Sequence, residues 1–239
     1  RGVAHLGAAS SGYAERAVAL VDSLHAIPDQ LSAPAAVAMI GTGRTAVGVL
    51  DIAALTDADV LLVTAAAGGL GALFVQAGLR AGAHVVGVAG GAAKVEQVRQ
   101  LGAHVAVDYN ETDWPQRVHD ALGERQISVV LDGVGGELGR TAFDLLGVGG
   151  RLILFGWSAG TPTSITTLDL VPRGLTVTWA LPRLLRQPGG LRQLETQALA
   201  AAAAGEIVPL VQTFPLAQAA VAHTALETRA TTGKVVLVP

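Results

Sequence analysis

The residues with chemistry to offer are concentrated in one turn and the strand beyond it. After the apolar run VLLVT at 60–64 the chain continues Ala66-Ala67-Gly68-Gly69-Leu70-Gly71 and then a helical stretch. This is close to the spacing G-x-G-x-x-G, in which a strand turns into a helix around a pyrophosphate. Ala66 stands for the first glycine, Gly68 permits backbone approach to the anion, and Gly71 permits close packing of helix on sheet. Free N–H groups and the positive dipole end of the helix then face the negative charge. On the following strand, VVGVAGGAAKVEQ puts Gly90 and Gly91 where an acid would accept hydrogen bonds from a free ribose, with Lys94 one helical turn further. No Asp or Glu occurs between Asp59 and Glu96, and Lys94 is one of only two lysines. Without a carboxylate a 2′-phosphate is not repelled, and a lysine attracts it, so the spacing favours NADP(H) over NAD(H). A turn that merely packs, and a Lys94 that is simply solvated, are the competing readings.

Other chemistries are poorly served. Without cysteine the chain has no disulfide, thiolate nucleophile or thiolate zinc ligand, which suits a reducing compartment and points to the cytoplasm. The histidines at 5, 25, 84, 104, 119 and 223 show neither H-x-x-x-H nor nearby Glu spacing, so no metal site is expected. Sixteen Lys+Arg against nineteen Asp+Glu leave a net charge of -3, which gives nucleic acid little to hold. No unbroken apolar run approaches the ~18 residues of a membrane span; the alanine-rich piece at 198–204 ends at Gly205-Glu206. The opening RGVAHLG, without Met or a signal-like segment, reads as a chain whose beginning is missing.

The elements that must position these residues alternate strand and helix. Strands at 60–64, 84–89, 104–109, 127–132 and 151–156 are separated by helices at 69–80, 92–100, 113–122 and 137–145, and LTVTWA at 175–180 supplies a sixth strand. Short connections and apolar strands call for a parallel sheet with helices on both faces and right-handed crossovers. GAHV at 82–85 and again at 102–105 marks two equivalent helix-to-strand junctions. Before this region, GVAHL and YAERAVAL read as β-like pieces separated by GAASSG, Ser32 caps a helix, and Gly41 and Gly43 interrupt it. Beyond Pro182 come a helix to about 204, a strand in VPLVQTF, a helix over 215–227 and a final strand in KVVLVP. The fold class is therefore α/β, a doubly wound parallel sheet over 41–205 inserted in a partial β-rich domain made of 1–40 and 206–239.

VTAAAGGLG, the Lys94 and Tyr109 region, LDGVGG at 131–136, GGRLILFG at 149–156 and the tail AVAHTALETRATTGKVVLVP occur in one order. In that order, and over essentially the whole chain, the sequence resembles the zinc-independent quinone oxidoreductase branch of the medium-chain dehydrogenase/reductase superfamily. The resemblance implies a GroES-like catalytic domain interrupted by a Rossmann domain, with NADPH as cofactor. It implies that Gly90, Lys94, Tyr109 and Arg229 surround the 2′-phosphate, that Gly68, Gly69 and Leu70 face the pyrophosphate, and that Gly133, Val134, Phe155 and Gly156 line the path from adenine to nicotinamide. Thr45 corresponds to the family threonine near the nicotinamide. The Arg229 fork and the Tyr109 hydroxyl and ring suit those roles. Each has a plainer alternative: Tyr109 as a strand-end cap, Thr45 bonded within its own helix, Arg229 on the surface of the last helix, Phe155 in the sheet core.

The implied reaction is metal-free hydride transfer from NADPH to a small electron-poor acceptor, a quinone or conjugated enone; no catalytic acid is assigned. A nucleotide-binding structural or regulatory protein without turnover is the competing function. Trp157 reads either as an aromatic wall for a flat acceptor or as a packing residue. The resemblance further implies a homodimer joined edge to edge through the LTVTWA strand, since a bare apolar edge needs cover.

Overall fold

The computed structural model describes residues 1–7, 12–186 and 188–239. Strand β1 (Gly2–Ala4) pairs antiparallel with β2 (Leu24–Ala26). The expected strand at 13–20 is not formed: these residues make bends and irregular chain, with Val18 and Leu20 exposed. An apolar alternation becomes a strand only where a neighbour takes up its N–H and C=O groups, and 13–20 has no ladder partner among the described residues. Of the expected GAASSG turn, residues 8–11 lie outside the described residues. Ser32 does cap helix α1 (Ala33–Ala38), its Oγ accepting from the Ala35 N–H at 3.2 Å.

Gly41 and Gly43, read as interruptions, instead lie in a π turn, Met39–Gly43, that runs directly into α2 (Arg44–Ala53). A Cβ on Gly43 would stand 2.5 Å from the Met39 Cε, so the glycine makes room for a fully buried side chain where the helix widens. The resulting helical run, Ala33–Ala53, is by length and composition apolar enough to cross a membrane, which piecemeal reading of the sequence missed. Along it Ala36, Met39, Ile40, Ala46 and Val49 are buried inside the protein, the pattern of a core helix.

Then the alternation begins: β3 (Val60–Val63), α3 (Gly69–Arg80), β4 (His84–Ala89), α4 (Ala92–Gln100), β5 (Val105–Asp108), α5 (Trp114–Leu122), β6 (Ile127–Asp132), α6 (Gly136–Asp144), β7 (Leu146–Leu154), α7 (Thr167–Leu170) and β8 (Thr176–Trp179). All six strands of this sheet are parallel, in the order β5-β4-β3-β6-β7-β8. The chain starts in the middle, winds outward to β5, and returns to the other side at β6. That is the Rossmann order, with its ligand crevice expected at the carboxyl ends of β3 and β6 where the winding reverses. Leu61, Leu62 and Val63 of β3 are fully buried, as are Val129, Val130 and Leu131 of β6. Strands covered on both faces can be apolar at every position, which is why they read as runs rather than alternations.

Just before β3, Asp59 ties three strands together. Its carboxylate accepts from the Ser128 hydroxyl at 2.7 Å and from Arg151 Nη2 at 2.9 Å. Burial works against the carboxylate, but hydrogen bonds from Arg151, Ser128 and the Thr56 N–H outweigh it and hold its pKa at about 2. The two GAHV junctions, brought side by side by the β4–β5 pairing, stack His84 on His104 with ring centroids 4.3 Å apart. The His84 Nε2 is buried and has no hydrogen-bond partner among the described residues. Burial first, then His104 and Arg125, push the His84 pKa below its ordinary 6.5. The unfolded chain therefore takes up a proton that the folded chain refuses, and stability falls as pH drops through 6.5 toward the lower folded value. His84→Phe keeps a ring against His104 and should flatten the slope of urea-unfolding free energy against pH between about 7 and 5.

After β8 the chain forms α8 (Leu181–Leu185), α9 (Gly190–Ala203), β9 (Val211–Pro215), α10 (Ala219–Glu227) and β10 (Lys234–Val238). The single helix expected from 182 to 204 is thus two, separated around Gly189 and Gly190, whose φ values of 75° and 60° are left-handed. β9 and β10 pair in parallel across the α10 crossover. By compactness the chain divides into a β-rich unit of residues 1–47, 68–73 and 187–239 and a sheet unit of residues 48–67 and 74–186.

Candidate functional site

Around the glycine-rich turn the left-handed residue is Ala65, with φ 48°, a conformation that costs a non-glycine residue energy and that clusters at functional turns. Ala66, in place of the fingerprint's first glycine, is fully buried and its N–H donates to the Val88 carbonyl at 3.0 Å. The room it needs is supplied by the neighbouring strand: a Cβ on Gly87 of β4 would stand 3.0 Å from the Ala66 Cβ and 2.5 Å from Val98 Cγ1. The substitution in one element is thus offset by a glycine in the next.

At the carboxyl ends of β4 and β5, Gly90 lies under the Tyr109 ring, where a Cβ would be 2.9 Å from the ring edge and the hydroxyl oxygen. Gly91 takes φ 91° and leads into α4, whose first turn carries the half-buried Lys94. Sequence reasoning missed the residue that holds this turn. Asp108 Oδ1 accepts from the Gly91 N–H and the Asn110 N–H, both at 2.9 Å, clamping the two loops together. Gly90, Lys94 and Tyr109 are therefore grouped on one end of the sheet, and neither Gly90 nor Gly91 presents a side chain.

A second pair of loops leaves β6 and β7. Asp132, fully buried, accepts from the Thr64 hydroxyl at 2.8 Å, the Thr163 hydroxyl at 2.9 Å, the Val134 N–H at 2.9 Å and the Gly135 N–H at 3.2 Å. Its carboxylate folds the Gly133–Gly135 segment back over the end of β6. Phe155 N–H donates to the Asp132 carbonyl, and Ser158 and Ala159 donate to the carbonyls of Gly133 and Val134, joining the loop after β7 to the loop after β6. A Cβ on Gly133 would meet the Phe155 ring at 2.2 Å, and one on Gly156 would meet the Gly133 carbonyl oxygen at 3.1 Å. Phe155 also lies edge-on to Phe74 of α3, centroids 5.1 Å apart. Gly133, Val134, Phe155 and Gly156 thus form one packed group. Asp132 stood inside the quoted LDGVGG, and its role is a signal the motif carried unread.

In the β-rich unit, Gly68 bridges in parallel to Gly233, and a Cβ on Gly69 would lie 3.4 Å from the Gly233 carbonyl oxygen and 3.5 Å from Thr42. Gly68, Gly69 and Leu70 are half-buried at the start of α3. Thr45 donates its hydroxyl to the Gly41 carbonyl at 3.1 Å, the bond expected of a threonine serving its own helix. Its neighbour Arg44 is fixed by Glu195 of α9 at 2.7 Å, and the same buried carboxylate meets His25 Nε2 at 3.0 Å. Arg229 sits just past the end of α10 rather than on it, exposed and left-handed with φ 56°.

In the sheet unit, the loops that end β4, β5, β6 and β7 have a shape that fits part of a dinucleotide. At the start of α4 a Cβ on Gly91 would meet nothing within 4 Å, and the positive dipole end of the helix there suits a phosphate. Among the described residues no three His, Asp or Glu side chains are grouped to hold a metal ion.

The family model described as zinc-binding dehydrogenase matches residues 69–182. A quinone oxidoreductase of Pseudomonas aeruginosa is 30% identical over 99% of this chain and 74% of its own length. A 2-haloacrylate reductase of a Burkholderia species is 32% identical over 76% of this chain, which spans 56% of that relative. The solved structure of Escherichia coli quinone oxidoreductase in complex with NADPH superposes with a TM-score of 0.81 at 29% identity, covering 91% of this chain and 69% of that one. Sequence and fold agree: the chain belongs to the zinc-independent quinone oxidoreductase family of the medium-chain dehydrogenase/reductase superfamily.

Proposed function

We propose that this protein binds NADPH and transfers its hydride to a quinone or conjugated enone without a metal. The observation that carries the reading is the end of β4, where Gly90 and Gly91 replace the acid that would bind a free ribose and Lys94 and Tyr109 stand beside them. The E. coli relative is solved with NADPH, and the Pseudomonas and Burkholderia relatives are named for reduction of a quinone and a haloacrylate. The spacing of residues and the nature of the relatives point the same way.

When bound, NADPH supplies the hydride, so the protein's work is positioning. In this reading Gly68, Gly69 and Leu70 receive the pyrophosphate, and Gly90, Lys94, Tyr109 and Arg229 receive the 2′-phosphate. Gly133, Val134, Phe155 and Gly156 guide the cofactor toward the nicotinamide end, near Thr45. Asp108 and Asp132 hold the two loop pairs in shape through backbone N–H groups. The test is steady-state oxidation of NADPH by the full protein with ortho- and para-quinones and conjugated enones. Acceptor-dependent consumption is expected; NADPH binding without any acceptor-dependent turnover would favour a structural or regulatory role instead.

Among the described residues the sheet ends at β8, whose one ladder partner is β7. A second copy pairing there would cover it, giving a homodimer. Sedimentation of the purified protein should report twice the chain mass, and a concentration-independent monomer would exclude the pairing. A cysteine-free chain also suits the cytoplasm, and recovery outside the cytosolic fraction of its host would refute that placement.

A further inference from the structure

Leu154, Gly156, Trp157, Pro162, Thr163 and Trp179 line a cavity of about 220 Å³ at the carboxyl end of β7 and β8. We infer that this cavity is a seat for a planar, uncharged aromatic ring, and that it selects ring-bearing acceptors over acyclic ones. The inference rests on the proposed hydride transfer, since Gly156 is shared between the cavity wall and the loop assigned to the cofactor.

Three features argue for this occupant. Trp157 and Trp179 are stacked, centroids 4.9 Å apart and planes 25° from parallel, yet Trp157 remains 46% exposed. A large aromatic residue held flat by a partner and left half uncovered is a ready wall for another ring, since offset stacking adds to area burial. Its placement is specified by backbone, not by chance contact. Gly135, left-handed at φ 71°, passes so close that a Cβ there would stand 2.8 Å from the Trp157 Cβ, and the Gly160 N–H donates to the Trp157 carbonyl. Lastly, the lining offers no charge. Its one side-chain hydroxyl, on Thr163, already donates to Asp132 at 2.9 Å. Apart from the indole N–H groups of Trp157 and Trp179, an anionic ligand would find no side chain to replace its water, whereas an apolar ring loses little on entry. An apolar cavity of roughly 150 Å³ suffices for a benzene ring, so this one admits one ring or two fused rings.

The variants that decide are Trp157→Ala and Trp157→Phe, each confirmed folded by near-ultraviolet dichroism and thermal melting. Steady-state kinetics with 1,4-naphthoquinone and with methyl vinyl ketone should show the ratio of their kcat/KM values falling about tenfold in Trp157→Ala, through the KM for the quinone. Trp157→Phe, which keeps an aromatic face, should recover most of that ratio. Equal loss for both acceptors, or no recovery with Phe, would overturn the ring seat and leave Trp157 as a packing residue. Calorimetric titration with 1-naphthol, which accepts no hydride, makes the same test without turnover. Binding to the wild type that is lost in Trp157→Ala is expected, and binding unaffected by the substitution, or none to the wild type, refutes the proposal. A wild type that binds 1-naphthol but oxidises no NADPH would instead count against the hydride-transfer reading alone.

Discussion

Replacing Lys94 and Arg229 together with alanine should lower the affinity for NADPH at least about tenfold while NADH binding stays within about twofold. A hydrogen bond to a charged group contributes about 1.5–3 kcal/mol, so if both residues hold the 2′-phosphate as proposed, their loss leaves ample room for that effect even with strong coupling. The asymmetry is the informative part. NADH lacks the phosphate, and the turn at Gly68–Gly71 proposed to receive the pyrophosphate is unchanged in the variant. Asp108 still clamps the Gly91 and Asn110 N–H groups, so the end of β4 keeps its shape. Parallel titrations of both cofactors at one ionic strength check it, because salt screens attraction between exposed charges. Equal loss for both cofactors would mean the two residues support the fold in general, and no loss for either would return Lys94 to an ordinary helix lysine. Preference of the wild type for NADH would overturn the cofactor assignment outright.

How much of this was legible beforehand depended on whether the physics was local. The strands and helices of the sheet region fall within about a residue or two of their sequence positions at most boundaries, because buried parallel strands and short turns declare themselves in composition. Helix α3 begins and ends where the pattern placed it, at Gly69 and Arg80. What escaped was set by residues far apart in the chain. Gly87 accommodates Ala66 only because β4 lies beside β3, and nothing near either residue announces it. Asp108 and Asp132 look like ordinary acids at strand ends until their carboxylates are seen accepting backbone N–H groups of loops. The reverse error occurred at 13–20, where a local apolar pattern had no ladder partner among the described residues to make it a strand, and at Gly41 and Gly43, where a buried Met39 turned two apparent breaks into a widened helix.

The same network yields the largest expected effect on stability. Asp132→Ala leaves two hydroxyls and two backbone N–H groups, all within 3.2 Å of the missing carboxylate, without their acceptor in a buried setting. Each buried donor left unpaired costs about 1–3 kcal/mol, and although the four are coupled, a net loss of about 3 kcal/mol or more is expected. For a chain of this size that corresponds to a Tm lower by about 6–12 °C in calorimetry. Asp132→Asn keeps one acceptor oxygen and the side-chain volume, so it should lose markedly less, although its amide must then face donors. A control comes from the other side of the carboxylate. A Cβ on Gly139 would lie 2.4 Å from Asp132 Oδ2 and 2.2 Å from the Thr163 Oγ1. Gly139→Ala therefore forces the network apart without deleting any of its atoms, and by overpacking alone should cost about 1–3 kcal/mol. If Asp132→Ala were as stable as the wild type while Gly139→Ala was not, crowding and not hydrogen bonding would be what holds the Gly133–Gly135 loop in place.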